Sequence, residues 1–81
     1  MLNDILIILN NELDIEIVNA TEETVLSSVG IDSITFMTLI IYIEEKYGIQ
    51  FSFDGIFMQD YSTLTFKSLI QEITDLISKK V

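Results

Sequence analysis

Hydrophobic residues recur every three or four positions in three segments of the chain, and this spacing places them on one face of an α-helix. The segments cover residues 2–13, 33–47 and about 66–78. In the first, the apolar stripe consists of Leu2, Ile5, Leu6, Leu9 and Leu13. In the last, it consists of Phe66, Leu69, Ile70, Ile73, Leu76 and Ile77. Because the chain has no proline to interrupt them, the pattern predicts three helices.

Residues typical of helix ends flank these segments. Asn3 or Asp4 is the predicted N-terminal cap of the first helix, and Thr65 that of the last. Gly48 follows the second segment directly, and glycine is the residue most favoured just after a helix.

The remaining residues are predicted to connect the helices. Residues 14–32 form a long acidic connection, with a short helical turn expected at 21–26. Its expected anchors to the core are Ile15, Ile17, Val18, Val25, Leu26 and Val29. Residues 50–55 form a second connector, anchored by Phe51 and Phe53, and residues 56–61 are expected to make one and a half helical turns. The predicted fold is all-α: one domain over residues 1–81, with three main helices and one short helix in a small bundle.

The second helix carries two apolar stripes. Phe36, Leu39, Ile40, Ile43 and Tyr47 form the stripe expected to face the core. Ile34, Met37 and Ile41 form the other, which continues into Glu44 and Glu45. Since a helix of a small domain rarely buries its whole circumference, the second stripe is predicted to be a docking face with an apolar centre and a polar rim. Alternatively, the third helix or the long connection covers it.

Charge and composition exclude several kinds of protein. The net charge is −9, and residues 1–32 contain seven acids with no lysine or arginine. This balance excludes an ordinary nucleic-acid binder, disfavours anionic membranes and favours partners with basic surfaces. The richest apolar stretch, residues 36–43, is too short to span a bilayer. Without cysteine or a basic targeting segment, we expect a monomer in a reducing, cytoplasmic compartment.

The residue inventory also argues against an enzyme. The chain has neither histidine nor cysteine, so no base is available to activate a serine nucleophile. Neighbouring carboxylates such as Glu22 and Glu23 point in different directions on a helix, and no calcium-binding loop pattern is present. We therefore expect no catalytic residue and no metal site.

Ser33 stands where the long connection becomes the second helix. Gly30 gives the preceding backbone freedom, and a helix N-terminus favours a negative group. A presented serine without its own base is typical of a group that another protein modifies. The alternative is that Asp32 and Ser33 only cap the helix, in a small acidic helical adaptor.

The run Gly30-Ile31-Asp32-Ser33-Ile34 resembles the Gly-x-Asp-Ser-Leu/Ile signature of acyl and peptidyl carrier proteins. The resemblance covers nearly the whole chain, including the helix order, the Glu-Glu-Lys-Tyr-Gly end of the second helix and the Ser-Thr-Leu-Thr-Phe-Lys-Ser-Leu run that opens the last. It implies that Ser33 carries 4′-phosphopantetheine, transferred from coenzyme A by a phosphopantetheinyl transferase. It also implies that the thiol of this group holds acyl or aminoacyl intermediates as thioesters.

The same resemblance assigns roles to the neighbouring residues. Asp32 would help the transferase to dock, and the recognition helix of the family would include Ile34, Met37, Ile41, Glu44 and Glu45. The implied partners are the transferase, an acyl- or aminoacyl-loading enzyme, and synthase, condensing or tailoring enzymes.

One departure from the family pattern concerns the pathway. Fatty-acid carriers usually have acidic residues in the first two turns after the serine, where this chain has Thr35 and Thr38. We therefore expect a free-standing carrier of a specialised polyketide or nonribosomal-peptide-like pathway, with a fatty-acid carrier as the alternative.

Overall fold

The computed structural model describes residues 1–52 and 55–80, with Lys80 described in its backbone only. Three α-helices form the bundle: α1 (Leu2–Glu12), α2 (Ser33–Tyr47) and α3 (Phe66–Lys80). Three single 3-10 turns lie in the connections, at Leu26–Val29, Ile56–Met58 and Tyr61–Thr63. The described residues contain no strand, so the predicted all-α fold class is confirmed.

The helix ends follow local capping chemistry. Helix α2 starts after Asp32 and ends before Gly48, whose φ of 64° lies in the left-handed region that glycine adopts without strain. Helix α3 follows Thr65, whose Oγ1 accepts a hydrogen bond from the backbone N–H of Ser68 at 3.2 Å, as predicted for a cap.

The predicted cap of α1 is wrong. Neither Asn3 nor Asp4 precedes the helix, because the Met1 carbonyl already accepts a helical hydrogen bond from the N–H of Ile5 at 3.2 Å. The helix therefore starts at Leu2, and Asp4 lies in its first turn. There its carboxylate lies 3.9 Å from the N-terminal amine and accepts a hydrogen bond from the Tyr47 hydroxyl at 3.3 Å.

The core lies between the three helices and is closed by residues of the connections. The helices contribute Ile5, Ile8, Leu9, Phe36, Leu39, Ile40, Ile43, Phe66, Leu69 and Ile73. The connections contribute Leu26, Ile31, Phe51, Ile56 and Leu64. The predicted core stripe of α2 is confirmed, with Tyr47 half-buried at its end. In α1 the prediction missed Ile8, which is buried, whereas Leu6 is only half-buried.

The long connection departs from the prediction at two places. Its helical turn lies at Leu26–Val29 and not at residues 21–26. The backbone around Val25 is already paired with that around Thr65: the Leu26 N–H donates to the Leu64 carbonyl at 2.9 Å, and the Phe66 N–H donates to the Thr24 carbonyl at 3.1 Å. Groups used in this bridge are not free to form a helix.

The predicted anchors of this connection are mostly correct. Leu26 is buried, and Ile15, Ile17 and Val29 pack partly buried against the core. Val18 is wrong as an anchor, since it is 74% exposed at a bend next to Asn19, whose φ is 63°.

The segment before α3 forms two turns in place of one continuous short helix. The first spans Ile56–Met58 and the second Tyr61–Thr63. The Asp60 carboxylate accepts a hydrogen bond from the Ser62 N–H at 3.0 Å, and this cap starts the second turn separately. Phe51 is buried as predicted, whereas Phe53 lies outside the described residues. No helix in residues 1–52 or 55–80 has the length and apolar character needed to cross a bilayer.

Candidate functional site

The chain enters α2 through a tight bend. Gly30 has a φ of 88°, and a Cβ built on it meets no atom within 4 Å. Ile31 is buried, which fixes the bend to the core, and Asp32 then extends outwards with φ −82° and ψ 179°. Ser33 follows as the first residue of the helix, and its side chain is exposed.

Asp32 and Ser33 have different roles at this helix start. The Asp32 Oδ1 atom accepts a hydrogen bond from the Thr35 N–H at 2.7 Å, so Asp32 is the cap. Hydrogen bonding from Thr35, chiefly its backbone N–H, lowers the pKa of Asp32 below the ordinary 3.8 and keeps it a carboxylate. The Ser33 hydroxyl makes no hydrogen bond within the described part of the chain. Capping therefore does not require Ser33, and its hydroxyl is free to react.

Tyr61, which was not among the predicted site residues, contacts the backbone that leads into Ser33. The Tyr61 hydroxyl donates to the carbonyl of Ile31 and lies 3.3 Å from that of Asp32. Its ring contacts Phe36, with a centroid distance of 5.2 Å. About thirty positions of sequence separate these partners, so no local periodicity indicated the contact.

A groove of about 130 Å³ opens between α2 and the two turns that precede α3. Ser33 and Met37 line it from α2, together with Phe36. Phe57, Tyr61 and Leu64 line the opposite side, so the walls are mostly apolar. The groove thus places an apolar surface next to the free hydroxyl.

The second stripe of α2 is exposed, and neither α3 nor the long connection covers it. The exposed fractions are 77% for Ile34, 48% for Met37 and 54% for Ile41. Thr38 adds little polarity to this helix, because its hydroxyl donates to the Ile34 carbonyl at 3.1 Å. The three apolar side chains form an exposed strip that starts one residue after Ser33.

The two glutamates at the end of this strip differ. Glu45 is exposed, as expected for a polar rim. Glu44 is half-buried, and its Oε2 atom accepts a hydrogen bond from the Phe51 N–H at 2.8 Å. Glu44 therefore also holds the connector that follows α2. Within residues 1–52 and 55–80, no three carboxylates cluster closely enough to hold a metal ion.

These features describe a helical bundle that presents an exposed serine, without a hydrogen-bond partner among the described residues, at a helix start. The comparison with protein families agrees: a family model described as "Phosphopantetheine attachment site" matches residues 3–65, well over half of the chain. The chain belongs to this family, that of the acyl and peptidyl carrier proteins, which confirms the resemblance found in the sequence. No curated protein and no solved structure matches the chain.

Membership in the family establishes the general activity. The chain is a carrier and not an enzyme, and the family binds 4′-phosphopantetheine covalently. A carrier of this kind interacts with a phosphopantetheinyl transferase and with synthase enzymes. The site fits such a group, because free N–H groups and the dipole at the start of α2 favour a phosphate ester there.

Proposed function

We propose that Ser33 is the attachment point of 4′-phosphopantetheine, and that the thiol of this group holds acyl or aminoacyl intermediates as thioesters. The observation that carries the proposal is the exposed Ser33 hydroxyl at the first position of α2, which has no hydrogen-bond partner in residues 1–52 and 55–80. Asp32 already caps the helix, so modification of Ser33 does not cost the fold a hydrogen bond.

The residue composition of the chain indicates which reacting groups the carrier supplies and which come from the transferase or from coenzyme A. The Ser33 oxygen would form the new phosphate ester while the pyrophosphate P–O bond of coenzyme A breaks and adenosine 3′,5′-bisphosphate leaves. In this proposal a base of the transferase accepts the proton that leaves Ser33, since the chain has no histidine and the lowered pKa makes the Asp32 carboxylate a weak base. The reactive sulfur likewise comes from the prosthetic group, because the chain has no cysteine.

The exposed strip of Ile34, Met37 and Ile41 is the proposed docking face for the partner enzymes. Its apolar character favours recognition by hydrophobic contact close to Ser33. The charged ends, Asp32 and Glu45, favour basic residues at the edge of the partner surface. In this proposal Asp32 contacts the transferase, and Glu44 contributes charge while it holds the connector.

The pathway we propose is a specialised polyketide or nonribosomal-peptide-like one, in the cytoplasm. Thr35 and Thr38 are both half-buried, so the first two turns of α2 present apolar and not acidic side chains. The groove of about 130 Å³ is less than half the size of the smallest common ligand pockets, about 300 Å³. This size favours a short cargo, or one that stays outside the bundle.

Incubation with coenzyme A and a broad-specificity transferase tests the attachment site. Intact mass should show the gain of one phosphopantetheinyl group on the unmodified sequence, and none on Ser33→Ala. Ser27→Ala is the matched control, because Ser27 is also exposed and lies in the turn just before Gly30. No gain on the parent chain, or an undiminished gain on Ser33→Ala, refutes the proposal.

A second measurement tests the pathway. The thioester on protein purified from its native source identifies the cargo by mass. Aminoacyl or short specialised acyl groups support the proposed pathway. A series of saturated acyl chains of increasing length supports the fatty-acid alternative.

A further inference from the structure

We infer that Tyr61 is a positioning residue for the modification of Ser33: it fixes the backbone that leads into Ser33 and so orients the acceptor hydroxyl. The inference rests on the proposed attachment at Ser33. It assigns a role to a side chain on a different element, about thirty positions further along the chain.

The contacts of Tyr61 reach the two residues directly before Ser33. Its hydroxyl donates to the carbonyl of Ile31 and lies 3.3 Å from the carbonyl of Asp32. Its ring is half-buried and is held against Phe36, with centroids 5.2 Å apart and planes tilted by 52°. The hydroxyl is therefore fixed in place by a ring that packs on α2 itself.

The buried side chain of Ile31 fixes the bend before Ser33 to the core, and Tyr61 adds a contact to the backbone carbonyls of the bend. Gly30 permits several backbone conformations, and the Asp32 cap ties the segment only to the helix side, through Thr35. Tyr61 ties it from the opposite side, to the turn Tyr61–Thr63. Together the two contacts hold the short segment between Gly30 and Ser33 at both edges.

Tyr61 is suited to act as a donor. Burial, together with the nearby negative charge of Asp32, raises the pKa of Tyr61 above its ordinary value. Its hydroxyl thus keeps its proton at neutral pH, and the carbonyls it contacts are acceptors only.

The consequence concerns the rate within the docked complex. Transfer requires the Ser33 oxygen in line with the phosphorus of coenzyme A, and small misplacements of a reacting atom slow such steps. The apolar docking strip on α2 does not include Tyr61, and the Asp32 carboxylate that we propose to contact the transferase is held separately by the Thr35 N–H. The loss of the Tyr61 hydroxyl should therefore slow transfer without weakening docking. A loss of stability has a different effect on the kinetics. It lowers the concentration of folded carrier that is able to dock, but not the rate within the docked complex.

Single-turnover kinetics separate these effects. The transferase is held in excess over the carrier and varied, with saturating coenzyme A, to give a maximal rate and a half-saturating transferase concentration. Tyr61→Phe keeps the ring and removes the hydroxyl. We expect its maximal rate to fall about 2- to 10-fold, as loss of one hydrogen bond implies, with the half-saturating concentration unchanged.

Two control variants complete the design. Tyr42→Phe removes a hydroxyl from a half-buried tyrosine of α2 that lies more than two helical turns after Ser33, and should leave the maximal rate unchanged. Ile73→Val weakens the core at a residue of α3 that does not line the groove beside Ser33, and should lower the melting temperature without lowering the maximal rate.

An unchanged maximal rate for Tyr61→Phe overturns the inference, as does a fall of the same size in Ile73→Val. If Tyr61→Phe does not fold by circular dichroism, Tyr61 is a structural residue and the inference is wrong. Failure of the proposed attachment is distinct, since the parent chain then gains no mass in any of these reactions.

Discussion

Two neighbouring isoleucines of α2 should respond very differently to the same truncation. Ile40 is 2% exposed and belongs to the core, whereas Ile41 is 54% exposed on the proposed docking strip. Both residues are isoleucines, and they are adjacent in the same helix. The comparison of Ile40→Ala with Ile41→Ala therefore isolates burial from helix propensity.

The expected magnitudes follow from burial. Truncation of a core isoleucine to alanine costs about 2–5 kcal/mol, including the cavity it leaves. Complete burial of such a side chain stabilises by about 1.5–3 kcal/mol, so the half-exposed Ile41 should cost about 1 kcal/mol or less. A domain of this length has a total stability of about 4–12 kcal/mol. Ile40→Ala should therefore remove a large part of this total, and Ile40→Val, at about 0.5–1.5 kcal/mol, is the milder substitute.

Urea unfolding, followed by circular dichroism, measures both variants. We expect the midpoint to fall strongly for Ile40→Ala and slightly for Ile41→Ala, with unchanged slopes. For a domain of this size, 1 kcal/mol corresponds to a shift of about 4–8 °C in melting temperature. Ile41→Glu should also fold, but it should raise the half-saturating transferase concentration, because a charge in the apolar strip opposes docking.

Equal losses of stability in Ile40→Ala and Ile41→Ala would mean that Ile41 is part of the core. The strip would then not be a free surface, and the docking proposal would fail. The proposal also fails if Ile41→Glu folds and reacts with the transferase and the other partner enzymes as the parent chain does.

Two further predictions concern the approach to Ser33. Gly30→Ala should lower the free energy of unfolding by about 1–2 kcal/mol in urea, from backbone strain alone, because φ is 88° and nothing lies within 4 Å of the new Cβ. Gly30→Asn should lose less, and equal losses would contradict this explanation. The cap at Asp32 should stabilise the fold fully above the ordinary pKa of 3.8, and this contribution should be lost as the pH falls through the lower folded-state pKa. Asp32→Asn should therefore show a smaller drop in urea midpoint on acidification, and an unchanged drop would refute this role.

Features set by neighbouring residues were predictable from the sequence. The bounds of α2 follow from Asp32 and Gly48, which act within one turn of the helix ends. The division of α2 into a buried and an exposed stripe follows from helical periodicity, which places Ile40 and Ile41 about 100° apart. The position of Ser33 at the helix start required no more than these two rules.

Features set by distant contacts were not predictable in this way. The bridge between Val25 and Thr65 moved the helical turn of the long connection towards Leu26–Val29, and it joins segments forty residues apart. The hydrogen bond from Tyr61 to the Ile31 carbonyl depends in the same way on how the chain packs. Hydrophobic spacing carries no information about either pairing, because both are hydrogen bonds between polar groups of distant segments.

The size of the proposed docking strip predicts short-lived contacts with partner enzymes. Ile34 and Ile41 are seven residues apart, so the strip is only about 10 Å long along the helix axis. We expect a contact centred on so short a strip to bury less than the roughly 1,200 Å² at which stable interfaces begin, and such contacts dissociate readily. The charge of −9 can compensate in the rate of association, because long-range attraction to a basic partner speeds encounter without lengthening the bound state. A small apolar contact combined with strong charge steering is therefore what a chain needs in order to visit several enzymes in succession.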